Sequence, residues 1–174
     1  VTITGVGSDS EISVHRTKNN ALFDSRLYTP EEIADEYRGA GLMQETSTRI
    51  VRTVLDKKTT PWSNFVLGEV VGFPGKWSSY PPHYHTQPEI YYYKFNPENG
   101  FAFCDSGDEV YRLKHNDTIC FTSGQIHPHA TAPGYALWCV WVIRHLDDDP
   151  HLGPTYVEEH KWMLEPGAKI WGDK

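Results

Sequence analysis

Cysteine is scarce in this chain. Cys104, Cys120 and Cys139 are the whole complement, odd in number, widely spaced and without a Cys-x-x-Cys pair. That argues against a disulfide framework and fits a reducing compartment, with the three packing as small apolar side chains. Long apolar runs are missing too, since nothing approaches the roughly 18 residues of a membrane span. The opening Val1-Thr-Ile-Thr-Gly5 has neither the basic nor the apolar region of a secretion signal. A cytoplasmic protein without membrane contact is therefore expected. Basic runs are absent as well. Lys and Arg number 16 against 23 Asp and Glu, a formal net charge of −7, which argues against nucleic acid and anionic lipid as partners. Sustained helical periodicity, internal repeats and low-complexity stretches are lacking. Without helices between the strands, a parallel α/β sheet is disfavoured.

What the chain does contain is a succession of short strand-like runs. They read Arg49–Leu55, Asn64–Val71, Glu89–Phe95, Gly100–Cys104, Glu109–Leu113, Thr118–Phe121 and Ala136–Ile143. Turn clusters separate them, among them Phe73-Pro-Gly-Lys76, Asn96-Pro-Glu-Asn-Gly100 and Lys114-His-Asn-Asp117. Turns every 8–12 residues predict an all-β sandwich or barrel. A length of 174 residues predicts one domain with an appendage. Ahead of the strands, Thr29 can cap a short helix with Pro30 in its first turn, Glu32 closing a capping box and Gly39 ending it. Beyond Asp147 the chain reads as an exposed turn, then a Trp-containing segment, 162–171, suited to covering one end of the barrel.

Histidine is the residue in excess. There are nine, and five of them (His83, His85, His115, His127, His129) fall between positions 83 and 129. In a strand, residues two apart point the same way, so His83 and His85 share a face. Glu89 begins the next run, on the side shared with Tyr91, Tyr93 and Phe95. Two imidazoles and a carboxylate make a site for a first-row divalent metal. Asn116-Asp-Thr-Ile-Cys-Phe-Thr-Ser-Gly-Gln-Ile-His127 supplies a fourth ligand from a distant strand. His129 shares the parity of His127, with Pro128 between, and belongs near the pocket. His115 sits in a turn and is expected in solvent. His15, His145, His151 and His160 show no partner pattern and read as structural or exposed.

These segments resemble the two cupin motifs. The first carries His83-x-His85 and Glu89, with Gly75 two residues further upstream than usual and Gly100 later than usual. The second reads Asn116-Asp117-x4-Thr122-x-Gly124-x2-His127, with Asn for the usual Gly and Thr for the usual Pro. Asn tolerates the left-handed turn that Gly would supply. More narrowly, Trp77-Ser-Ser-Tyr-Pro-Pro-His83, Glu89-Ile-Tyr-Tyr-Tyr93 and His127-Pro-His-Ala-Thr-Ala-Pro-Gly-Tyr135 resemble the 5-deoxy-glucuronate isomerase family of inositol catabolism. Arg49-Ile-Val-Arg52 and Gly5–Val14 are similar to that family's segments too. Family members are bicupins about half as long again, with a degenerate first barrel. They carry Val in place of His129, Lys in place of Tyr84 and Arg in place of Lys94.

The resemblance implies a cupin jelly-roll barrel over 46–146. It also implies a segment, 1–45, resembling the end of a first cupin, and a tail, 147–174. With Val rather than Met in first place, a truncated chain, a proteolytic fragment or a naturally short paralogue is expected. The implied activity converts an aldose acid into a ketose acid. A divalent ion, zinc or manganese ahead of iron, would sit on His83, His85, Glu89 and His127 and polarise the carbonyl. Candidates for the proton-moving group are Tyr91, Tyr93 and His129, and candidates for the cation facing the substrate carboxylate are Lys94 and Arg52. The expected partner is a small sugar acid, and a barrel's exposed edges favour homo-oligomers. Competing readings are another metal-dependent cupin enzyme, a dioxygenase or decarboxylase, and a non-catalytic sugar-acid-binding cupin.

Overall fold

A computed structural model describes residues 2–171. Its strands are β1 (Glu36–Arg38), β2 (Arg49–Leu55), β3 (Phe65–Gly72), β4 (Trp77–Ser78), β5 (His83–Tyr84), β6 (Glu89–Asn96), β7 (Phe101–Ser106), β8 (Glu109–Lys114), β9 (Thr118–Phe121), β10 (His129–Thr131), β11 (Ala136–Arg144) and β12 (Thr155–Tyr156). Six form one sheet in the order β1-β2-β3-β11-β6-β9, four form a second in the order β4-β10-β7-β8, and β12 pairs with β5. The pairings are antiparallel. The seven expected strands are present, with ends shifted by no more than two residues.

Period-two burial builds the core. Along β6, Glu89, Tyr91, Tyr93 and Phe95 are buried, while Ile90 and Asn96 are exposed. These inward rings meet Val51, Val70, Leu137 and Cys139 of the same sheet and Ala102, Cys104 and Leu113 of the other, so the core lies between the two sheets. Cys104 and Cys139 are buried within it as small apolar residues, whereas Cys120 is exposed. Gly68 has a packing reason. A Cβ there would stand 2.5 Å from Trp141 Cζ2 and 2.6 Å from the Arg52 carbonyl oxygen. Asn116 takes the left-handed conformation expected of it, with φ of 70°.

The region 29–39 departs from expectation. The helix is a single 3-10 turn, Pro30–Glu32, with the Thr29 N–H donating to Glu32 Oε2 at 2.9 Å. The chain then straightens into β1, where Tyr37 pairs with Ile50. Ladder bonds to β2 satisfy more backbone groups than another helical turn with so few apolar residues would. Strands β4, β5, β10 and β12 were not foreseen either, because two or three residues are too few for alternation to register.

The tail folds back onto the barrel. Tyr156 pairs with His83, a 3-10 stretch runs from Glu158 to Leu164 with Met163 buried, and Met163 and Ile170 close a cavity with Trp77 and Tyr80. The tail thus packs against β4 and the turn that follows it. At the other terminus, Asn64 Nδ2 donates to the Lys18 carbonyl at 2.6 Å and Asn19 Nδ2 to the Trp62 carbonyl at 2.7 Å, laying the N-terminal segment over the outside. Among the described residues no helix is long and apolar enough to cross a membrane.

Candidate functional site

One cavity opens on the inner face of the six-stranded sheet, and its lining includes His83, His85, Glu89 and Tyr91. β6 starts with Glu89 turned inward. β5 and the Thr86-Gln87-Pro88 turn bring His83 and His85 against it, and the loop after β9 returns His127 to the same point. Donor atoms of His85, Glu89 and His127 lie within 4.8 Å of one another, and all three residues are buried. His85 Nε2 is 2.9 Å from Glu89 Oε2. His127 Nε2 is 3.1 Å from the same oxygen, without the alignment of a hydrogen bond, and has no other partner.

The histidine tautomers are set from behind. His83 Nδ1 lies 3.0 Å from the Pro81 carbonyl, His85 Nδ1 2.8 Å from that of Gln87, and His127 Nδ1 2.9 Å from that of Gln125. A carbonyl only accepts, so each Nδ1 carries a proton, which leaves Nε2 as the nitrogen whose lone pair can face an ion. Two such lone pairs and a carboxylate would repel, so either a proton, as in the His85 Nε2–Glu89 Oε2 hydrogen bond, or a cation must stand among them. Backbone carbonyls that orient ligating imidazoles in this way are the usual support of a metal site. The buried, unpartnered His127 Nε2 is the group that such an ion would satisfy. The triad can thus hold a divalent metal.

Electrostatics agree with the packing. Burial raises the Glu89 pKa, but the His127 and His85 rings together outweigh it and hold the carboxyl well below its usual range. Burial lowers His127, yet Glu89 overcomes this and the net shift is upward. His83 is pushed down to about 4, first by burial and then by the charge on His127. Its ring lies 5.2 Å from that of His127, beside the three converging donors rather than among them.

The expected proton-moving groups divide. Tyr91 lines the cavity, with its hydroxyl 3.3 Å from Ser79 Oγ. Tyr93 and His129 are fully buried behind it, joined by a 2.6 Å contact between the hydroxyl and Nε2. Burial raises both tyrosines well above 10, so at neutral pH they donate protons rather than accept them. Burial lowers His129 to about 3. Arg52 and Lys94, the expected cations, do not line the cavity. Arg52 faces outward to Asp35 at 2.6 Å and Glu69 at 3.4 Å. Lys94 holds Glu11 at 2.6 Å across a separate outer cavity. Both sit at positions whose strand parity turns them away from Glu89.

Other residues occupy the places left for them. Arg49 and Arg38 line the cavity, as do Tyr156 and His151. His151, expected to be incidental, packs its ring 4.9 Å from that of His85, and its backbone N–H donates to Nδ1 of the buried His145 at 3.0 Å. Burial pushes it down to about 4. His115, expected in solvent, is instead packed at the end of β6, its Nδ1 3.2 Å from the Phe95 carbonyl. Arg49 was legible in principle, because it shares the inward parity of Val51. His151 and Tyr156 arrive from an irregular tail, where no periodicity signals direction.

A family model described as the KduI/IolB family matches residues 1–163. A 5-deoxy-glucuronate isomerase of Geobacillus kaustophilus is 34% identical over 179 residues, covering 91% of this chain and 60% of that protein. The chain spans about 60% of the length of such curated relatives. Among solved structures, an IolB-like protein from Salmonella typhimurium is similar with a TM-score of 0.73 at 26% identity, covering 83% of this chain and 58% of that one. A cupin-like protein from Thermotoga maritima, at 21% identity and a TM-score of 0.50 over 68% of this chain and 86% of that one, shares the fold.

Proposed function

The chain belongs to the KduI/IolB family, and from that premise we propose that it is a metal-dependent isomerase interconverting the aldose and ketose forms of a sugar acid. The proposed substrate is 5-deoxy-glucuronate, the ion is zinc or manganese, and the setting is the cytoplasm. The observation that carries the reading is the buried meeting of His85 Nε2, His127 Nε2 and the Glu89 carboxylate, with both imidazoles held through Nδ1 by backbone carbonyls. His83, oriented by the same kind of backbone contact and standing beside the three, is the proposed fourth ligand. An ion bound there supplies Lewis acidity toward the substrate carbonyl.

The remaining work falls to the chain itself. Isomerisation takes a proton from C2, returns one to C1 and moves protons between the two oxygens. His151 lines the cavity with its ring 4.9 Å from that of His85 and its buried Nδ1 without a partner, and is the proposed acceptor of the carbon-bound proton. Tyr91 keeps its hydroxyl proton at neutral pH because burial raises it, which suits it to donate to an oxygen. Tyr93 and His129, packed behind Tyr91, hold its ring in place.

The test is conversion of 5-deoxy-glucuronate by the purified chain, with chelator and after zinc or manganese is restored. Loss on chelation, recovery with the ion and no turnover by Glu89→Gln are expected. Turnover that survives chelation and Glu89→Gln would reject the reading, as would oxygen-dependent consumption of the acid without ketose product.

A further inference from the structure

Arg49 is a buried cation without an anion. It opens β2 on the inward side, as Val51 does, and only 9% of its surface is exposed. Among the described residues its guanidinium makes a single hydrogen bond, from Nη1 to the Ser47 carbonyl at 2.8 Å, and no ion pair. Guanidinium has five N–H donors, so most of its capacity is unused. Its partner across the β1–β2 ladder is Arg38, which holds Glu36 at 3.0 Å. The positive charge of Arg38 adds to burial in pressing the Arg49 pKa down to about 10, so the fold sets two like charges side by side. Both arginines line the cavity that contains the His85–Glu89–His127 cluster. Glu89, the one carboxylate among the described lining residues, is engaged by two imidazoles.

A buried charge left unpaired is costly in a folded protein, and one carbonyl bond with Tyr156 and Tyr91 nearby returns only part of that cost. An anion entering the cavity would return more of it. Guanidinium and carboxylate match as planar, bidentate partners, and a second guanidinium across the ladder adds attraction.

We infer that Arg49, seconded by Arg38, receives the carboxylate of the ligand at the β1–β2 edge of the cavity, with the rest of the molecule extending toward the His85–Glu89–His127 cluster. The inference rests on the sugar-acid reading above and deepens it. It fixes which end of the acid points where, and it makes the cavity discriminate a sugar acid from the neutral sugar. Arg49 acts here as a binding and positioning residue.

Calorimetric titration with D-glucuronate and with D-glucose, on the wild type, Arg49→Met, Arg49→Lys and Arg38→Met, tests this. Metal content and melting temperature are recorded for each. The wild type is expected to prefer glucuronate. Arg49→Met should lose that preference, weakening glucuronate on the order of ten- to a hundredfold, with glucose binding and metal content unchanged. Arg49→Lys, which keeps the charge and loses the fork, should lose part of it and serves as the folded comparison if Arg49→Met melts early. Arg38→Met, already engaged by Glu36, should lose less than Arg49→Met. A wild type that binds both sugars alike, or that binds neither, overturns the inference. So does undiminished glucuronate binding by a folded Arg49 variant. An Arg49-dependent preference in a chain without turnover defeats the isomerase reading and leaves this site standing. Turnover with Arg49-independent binding does the reverse.

Discussion

Adding zinc or manganese to the metal-free chain should raise its melting temperature, and Glu89→Gln should abolish the rise. In the folded chain each Nδ1 of His83, His85 and His127 is already tied to a backbone carbonyl, so the donors need little rearrangement to bind. An ion that binds the folded but not the unfolded state contributes about 2.7 kcal/mol at a hundred times its dissociation constant. For a chain of this length each kcal/mol moves the midpoint by about 2–4 °C. The expected rise is then about 5–11 °C. It should grow from pH 6 to pH 8, because the ion competes with the proton that the Glu89–His127 pair retains. Glu89→Gln keeps the volume and gives an amide that can donate to an imidazole Nε2. The metal-free variant should therefore stay folded, with its own midpoint as the baseline, while losing the rise. Differential scanning of both proteins across ion concentration and pH is the assay. A wild type indifferent to the ion, or a variant with an undiminished rise, would refute the reasoning.

Without metal, stability should fall as pH drops from about 6.5 toward 4. His83 and His151 are lowered to about 4 and His129 to about 3, so the unfolded chain takes up protons first and their contribution disappears in acid. The lowered Glu89 acts in the same sense below its unfolded value. His127, raised by Glu89, acts in the opposite sense: its contribution is present below about pH 6.5 and is lost as pH rises through its folded value. Urea unfolding at a series of pH values checks this, and a flat profile contradicts it. Gly68→Ala should cost about 1–3 kcal/mol, since its Cβ would overpack Trp141 and the Arg52 carbonyl. The same urea midpoints measure it, and an unchanged midpoint would show that β3 and β11 can part without strain.

Much of this was legible in the residues because strands report their own facing. The alternation of Glu89, Tyr91, Tyr93 and Phe95 placed an acid and three rings on the inner side, and His127 followed from the turn at Asn116. The same parity argued against Lys94, which indeed faces outward, and would have chosen Arg49 over Arg52. What escaped had no period to read. His151 and Tyr156 reach the cavity through an irregular tail whose course depends on two-residue pairing with β5 and on the burial of Met163. The segment at Pro30 has real capping chemistry, but one turn of helix competes poorly with an open sheet edge at β2. The pairing of Tyr93 with His129 was likewise out of reach, because it depends on how the two sheets stack.

The most direct test of the central claim is an anomalous-scattering map from crystals grown with manganese or zinc. The account predicts a peak at the meeting point of His85 Nε2, His127 Nε2 and the Glu89 carboxylate, within reach of His83. No peak there, with the ion bound elsewhere on the chain, would contradict it.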